Sequence, residues 1–193
     1  MLNKLVKTIK SVFVTNPQYL NVAVTRKVKT PNRAHSLDAG IDFYVPEDIT
    51  EQEFLEKCET TGIKPHYEIN ECGFISKIVL NAGDAVLIPS GIKVCVPEGY
   101  MLQYINKSGV ASKQGLMVGA SVVDSGYDGI CHINLIAQYN RPVEILAGQK
   151  IAQGILIPVS NAEVSVVDSE VITILNSKLT SRGSGGFGST AHK

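Results

Sequence analysis

Tryptophan is absent, aromatic residues make up 6% of the 193 residues, and charged residues only 19%. The charge that is present cancels: 18 Lys and Arg stand against 18 Asp and Glu, a formal net charge of +0. A balanced chain lacks the long-range basic field that non-specific nucleic-acid binding draws on, so no nucleic-acid partner is expected and any anionic ligand must be held by a local site. Cysteine is scarce too. Cys58, Cys72, Cys95 and Cys131 form no CxxC pair and lack the dense spacing of a secreted disulfide scaffold, which reads as reduced thiols in a cytoplasmic protein. No apolar run reaches the ~18 residues of a membrane span. The N-terminus, MLNKLVKTIKSVFV, interleaves lysines with apolar residues and shows no small-residue cleavage site. No membrane partner is expected.

What is present is apolar material in short runs. With 44% hydrophobic residues and a mean hydropathy of +0.10, the chain can bury roughly two-thirds of its unfolded surface, and a single domain over residues 1–193 is expected. Residues 1–19 place Leu2, Leu5, Val6, Ile9, Val12 and Phe13 at helical spacing, which predicts an amphipathic extension docked on its own domain or on a partner subunit. From Leu20 the period changes to two, and LNVAVTRKV reads as a strand broken at Thr30, Pro31 and Asn32. Thr50 and Glu53 form a capping box that opens the short helix TEQEFLEKCETT, closed by Gly62. Then come FISKIVL, AVLIPSGIKVCVP, YMLQYI, SVVDS, CHINLIAQY, VEILA and KIAQGILIPV, β-branched runs separated by Gly, Pro and Asn turns. No helical stretch alternates with these strands, so the expected fold is all-β, a barrel or jelly roll with one or two short helices. From about residue 179 the glycine-rich composition predicts a flexible tail.

Several patterns invite a chemical reading. The tail contains a literal GxGxxG at Gly183, Gly185 and Gly188, but no strand precedes it and the chain ends five residues later, so it is no dinucleotide fingerprint. SGVASKQGL, taken alone, is a turn at a strand end with Lys107, a hydroxyl and two glycines, where backbone amides can approach an anion. VVDSGYDGI places Asp124 three residues before Tyr127 in a glycine-containing hairpin; the carboxylate can orient a water and the aromatic can lie against a ring. His66 between Cys58 and Cys72 offers three metal ligands without a fourth, which argues against zinc. Cys131 and His132 adjoin the hairpin, and neither is expected to be catalytic.

Read in order, DAGIDFYVP, KSGVASKQGL, VGASVVDSGYDG, GQKIAQGIL and RGSGGFGST resemble the five motifs of the homotrimeric dUTPase family (dUTP diphosphatases), over roughly residues 20–190. The resemblance implies a distorted jelly roll and hydrolysis of dUTP to dUMP and pyrophosphate, which limits uracil in DNA and supplies dUMP for thymidylate synthesis. It implies that Asp124 holds the attacking water, that Tyr127 packs under the deoxyribose, and that the hairpin from Gly119 through Ser121 to Val123 reads the uracil edge. Lys107, Ser108, Gly109 and Gln153 would meet phosphates, with Arg182, Phe187, Gly188 and Ser189 of the tail closing over the nucleotide. Asp42 would reach Mg²⁺ through water, and three chains would share each site. Three departures stand out. Lys107 replaces the usual arginine, Asp128 adds a negative charge, and residues 1–19 and 49–75 lengthen the chain. These additions read as coverings of the trimer surface, with docking of a protein partner as the alternative.

Two rival functions are weighed against this one. A related dCTP deaminase needs a glutamate on the strand after the hairpin, where this chain has Asn134, which cannot serve as a general base. A regulatory protein of the same fold would use the insert to contact its partner, but intact Asp124, Tyr127 and tail argue for catalysis.

Overall fold

β-Branched runs become strands where their alternation lets one face be buried, and β10 shows the rule: in HINLIA every second residue is buried. The structure is a computed structural model and describes residues 19–181, 183 and 184. The helix expected over residues 1–19 falls outside these except for Tyr19. In chain order the elements are β1 (Asn21–Val24), β2 (Ile41–Tyr44), α1 (Glu51–Thr61), β3 (His66–Ile69), β4 (Ile75–Leu80), β5 (Ala85–Pro89), β6 (Ile92–Cys95) and β7 (Tyr100–Asn106). They continue with α2 (Ser108–Gln114), β8 (Leu116–Val118), β9 (Val122–Asp124), β10 (His132–Ala137), β11 (Val143–Leu146), β12 (Lys150–Pro158) and α3 (Ser169–Leu179). The strands form four small antiparallel sheets, β1–β6, β5–β10–β8, β11–β4–β3 and β2–β12–β7–β9, the β-rich jelly-roll type expected.

Contacts divide the chain into two units, residues 1–159 and 160–193. The first holds every strand and the whole buried core among the described residues, in which Phe43 and Tyr104 meet edge to face at 4.9 Å. The second holds α3, whose residues are all exposed. None of the described helices is long and apolar enough to cross a membrane.

The segment 49–75 is closed at its neck. Ile75 donates its amide to the Ile49 carbonyl at 2.8 Å, and Thr50 bridges Phe74. Within it Thr50 caps α1 by accepting from the Glu53 amide at 3.2 Å, and Gly62 ends the helix in the left-handed region. The reciprocal arm of the capping box is diverted: the Glu53 carboxylate accepts from Arg26 Nη1 at 2.7 Å, and Arg26 Nε also holds Asp48 at 2.8 Å. Phe54 and Cys58 go into the core, the Phe54 side chain contributing roughly 1.5–3 kcal/mol by burial.

Two helices depart from expectation. SGVASKQ is not a simple turn but the helix α2, anchored by buried Val110 and ended at Gly115, whose φ is 70°. The helix α3 has no counterpart in the sequence reading, so three short helices stand among the described residues where one or two were expected.

Candidate active site

The hairpin between α2 and β10 is held from outside its own strands. The Asn134 side chain on β10 accepts from the Ala120 amide at 3.1 Å through Oδ1 and donates from Nδ2 to the Val86 carbonyl at 3.2 Å, while its backbone carbonyl accepts from the Gly119 amide at 3.0 Å. Gly119 must be small for this contact, since a Cβ there would lie 2.0 Å from Asn134 Oδ1. The position where a deaminase would need its glutamate is therefore occupied by an amide that braces the turn.

β9 then carries the chain back along β7, with Asp124 opposite Met101. Asp124 is exposed at the strand end, and its carbonyl accepts from the Tyr127 amide at 3.3 Å. Tyr127 is 46% exposed; its hydroxyl donates to the Ile130 carbonyl at 3.1 Å, which lays the ring beside Gly129, where a Cβ would come within 2.2 Å of the phenol oxygen. Ser121, Asp124 and Tyr127 share the wall of a cavity of about 310 Å³ with Leu87, Tyr104, Cys131 and His132. That volume and mixed lining suit a nucleoside-sized ligand. Sequence reasoning set Cys131 and His132 aside and passed over Tyr104 and Leu87, because their approach to the hairpin is made through space. Burial pushes the Tyr104 phenol and the Cys131 thiol up, so both stay protonated near neutral pH, and burial holds the His132 imidazole below its usual range. A larger hollow, about 720 Å³, lies within residues 160–193 along α3, and its lining among the described residues, such as Ile172, Asn176 and Ser184, carries no ionisable group.

A second group of expected residues gathers where β2, β12 and the end of β7 meet. Asp42 on β2 is 2% exposed; its Oδ1 takes Lys107 Nζ at 2.8 Å and its Oδ2 takes Lys150 Nζ at 2.6 Å. Burial alone would raise this carboxyl, but the two ammonium groups outweigh it and hold it below the usual carboxylate range. Gln153 pairs in register with Asp42 and donates from Nε2 to the Asn106 carbonyl at 3.0 Å. Ser108 and Gly109 are exposed on the first turn of α2, directly after Lys107. Arg182, Phe187, Gly188 and Ser189 lie outside the described residues. Among the described residues no group of three or more His, Cys, Asp or Glu side chains is placed to hold a metal ion. Asp42 Oδ1 accepts from Lys107, and Oδ2, though ion-paired with Lys150, has no hydrogen-bond partner among the described residues; the two ammonium groups stand on the side from which the expected water-linked magnesium would approach.

The two groups stand apart. Asp42 is level with Gln153 and Ile105, Asp124 with Met101, and β2 and β9 are the opposite edges of one sheet. The separation is roughly 14 Å across the strands and roughly 13 Å along them.

A family model for dUTPase matches residues 73–191. The deoxyuridine 5′-triphosphate nucleotidohydrolase of Chlamydia caviae is 40% identical over 161 residues, which is 81% of this chain and 96% of that protein. The chain belongs to the dUTPase family. Another member, the nucleotidohydrolase of Desulfotalea psychrophila, is 39% identical over 113 residues, 58% of this chain and 71% of its own. In fold, this dUTPase resembles the Staphylococcus bacteriophage 80alpha dUTPase, solved as a point mutant with dUpNHpp, at a TM-score of 0.65 and 22% identity over 89% of this chain and 98% of that one. The phage phi11 dUTPase, solved to visualise its species-specific insert, aligns at 0.57 and 23% identity over 78% and 97%. As a dUTPase the chain is a hydrolase of nucleotide metabolism, and the jelly-roll expectation is met.

Proposed function

We propose that this protein hydrolyses dUTP to dUMP and pyrophosphate, limiting uracil in DNA and supplying dUMP for thymidylate synthesis. The observation that carries the reading is the cavity of about 310 Å³ in which a carboxylate, Asp124, and an aromatic, Tyr127, face the same space beside a turn rich in backbone amides. Uracil lies against the hairpin from Gly119 to Val123, whose fixed N–H and C=O groups discriminate by hydrogen bonding. The Tyr127 ring supports the sugar. Asp124 orients a water and accepts its proton as the water's oxygen attacks the α-phosphorus in line; the bond from that phosphorus to the bridging oxygen breaks, and pyrophosphate leaves. The substrate is taken as its magnesium complex, the ion neutralising charge on the triphosphate. Lys107, Ser108, Gly109 and Gln153 receive the phosphates, and Arg182, Phe187, Gly188 and Ser189 close over the nucleotide.

The catalyst in this reading is a homotrimer. Asp124 and the lysines around Asp42 stand further apart within one chain than a single triphosphate can reach, so a complete site takes Asp124 from one copy and the phosphate-binding group from another. Pyrophosphate release from dUTP beside dCTP, dTTP and UTP tests the activity, with light scattering for mass. Turnover of dUTP alone, by a trimer, is expected; release of ammonia or of orthophosphate, or a fully active monomer, refutes the reading.

A further inference from the structure

Asp42 is the buried carboxylate of the described chain, and what surrounds it is cationic. Lys107 and Lys150 each reach one of its oxygens, and their side chains keep 29% and 33% of their surface exposed against 3% for the carboxylate. The face this cluster turns to solvent is therefore lysine surface. Lys150 Nζ also lies 5.8 Å from the centre of the Tyr44 ring, with Lys29 Nζ 4.9 Å from the same ring. Asp38 is the other acid acting on Lys150.

Two consequences follow. A dication brought to Asp42 would meet two ammonium groups on the oxygens it needs, and like charges at contact distance repel. Lys107, meanwhile, uses one of its three N–H donors on Asp42 Oδ1 and keeps two for another anion, while Lys150, ion-paired with Oδ2 at 2.6 Å, makes no hydrogen bond to Oδ2. The carboxylate also fixes two long side chains that would otherwise lose rotamer freedom only on meeting a ligand.

Building on the dUTPase reading above, we propose that Asp42 is a positioning residue rather than a contact of the metal's hydration shell: it holds Lys107 and Lys150 as a fixed pair of ammonium groups that receives the polyphosphate oxygens of the substrate. Lys150 thereby becomes part of the phosphate-binding surface. A lysine cannot copy the planar fork of an arginine, and the shared carboxylate supplies the fixed geometry a single ammonium lacks.

The test compares the full-length protein with Asp42→Asn, with Lys107→Met and Lys150→Met combined, and with all three changes. Binding of inorganic tripolyphosphate is measured by calorimetry in EDTA, and the magnesium concentration giving half-maximal dUTP hydrolysis is measured separately. Expected for Asp42→Asn is a kcat at least tenfold lower, half-saturating magnesium within twofold of wild type, and metal-free tripolyphosphate binding weakened threefold or more because the two ammonium groups lose the carboxylate that fixes them. In the background lacking both lysines, Asp42→Asn should change neither kcat nor tripolyphosphate binding further, since groups acting as a unit are not additive. A tenfold rise in half-saturating magnesium that persists without the lysines overturns the proposal, as do additive losses in kcat. Should Asp42→Asn fail to fold, Lys150→Met alone decides: tenfold weaker tripolyphosphate binding in EDTA supports the paired surface, and unchanged binding refutes it. If the wild type releases no pyrophosphate from dUTP, the reading of function fails, while the calorimetry still judges the lysine pair.

Discussion

Replacing Asn134 tests how the turn that faces the cavity is held. Its side chain makes two hydrogen bonds, accepting from the Ala120 amide and donating to the Val86 carbonyl. At a net ~1 kcal/mol each, Asn134→Ala should cost about 2 kcal/mol, which for a chain of this size lowers the thermal midpoint by roughly 4–8 °C. Asn134→Asp separates the two bonds. The carboxylate still accepts from Ala120, but its second oxygen now faces the Val86 carbonyl, so the donor is lost and two acceptors oppose each other. Near pH 8 this variant should be less stable than Asn134→Ala, and its deficit should shrink as the pH falls towards 5, where a protonated carboxyl can donate to Val86 again. The same loosening spreads the Gly119–Ala120 amides, and a loss of about 1.4 kcal/mol at the uracil edge raises KM for dUTP about tenfold. Scanning fluorimetry between pH 5 and 8 and steady-state kinetics provide the readouts. An Asn134→Asp protein as stable as wild type at pH 8 would show that the side chain does not brace the hairpin.

The remaining expectations are briefer. Asp124→Asn keeps size and hydrogen bonding but removes the charge that orients the water, so kcat should fall by about 10² or more with dUMP binding retained; near-normal turnover would remove Asp124 from the mechanism. Deleting residues 182–193 removes none of the described strands, so the thermal midpoint should hold while kcat/KM collapses; a truncated protein with full turnover would refute the roles given to Arg182 and Phe187. Burial would raise the Asp48 carboxyl, but the Lys27 amide and the Arg26 guanidinium outweigh it, so its folded pKa lies below the usual value. This pair's contribution is therefore full above about pH 4 and is lost as pH falls through the lower folded pKa. Arg26→Gln should be less stable at pH 7 and lose less on going to pH 3; a parallel acid profile would contradict the linkage.

Local signals were legible where one residue type decides the outcome. Thr50, Glu53 and Gly62 bounded α1 because a hydroxyl, an amide and a left-handed turn act within four residues of chain. The short β-branched runs of β4, β10 and β11 were equally readable as strands. What escaped depends on distance through space. SGVASKQ has little intrinsic helix propensity and forms α2 with Val110 buried as its anchor, which only the folded core reveals. Lys150 lies inside GQKIAQGIL, where sequence alone gave it no role; it gains one because, paired in register with Tyr44, its ammonium reaches Asp42 across the strand pair. Asn134 was readable as a residue that cannot move protons, yet its task of bracing Gly119 and Ala120 required the register of β10 against β5 and β8.

The placement of Asp42 on β2 and Asp124 on β9, opposite edges of one sheet, carries a genetic consequence. If a working site borrows one edge from each of two chains, a protein damaged at Asp124 and another damaged at Lys107 and Lys150 are both inert alone, yet each retains the half the other has lost. Unfolded together and refolded, or co-expressed, they should rescue each other, because mixed assemblies reunite an intact hairpin from one parent with an intact lysine pair from the other.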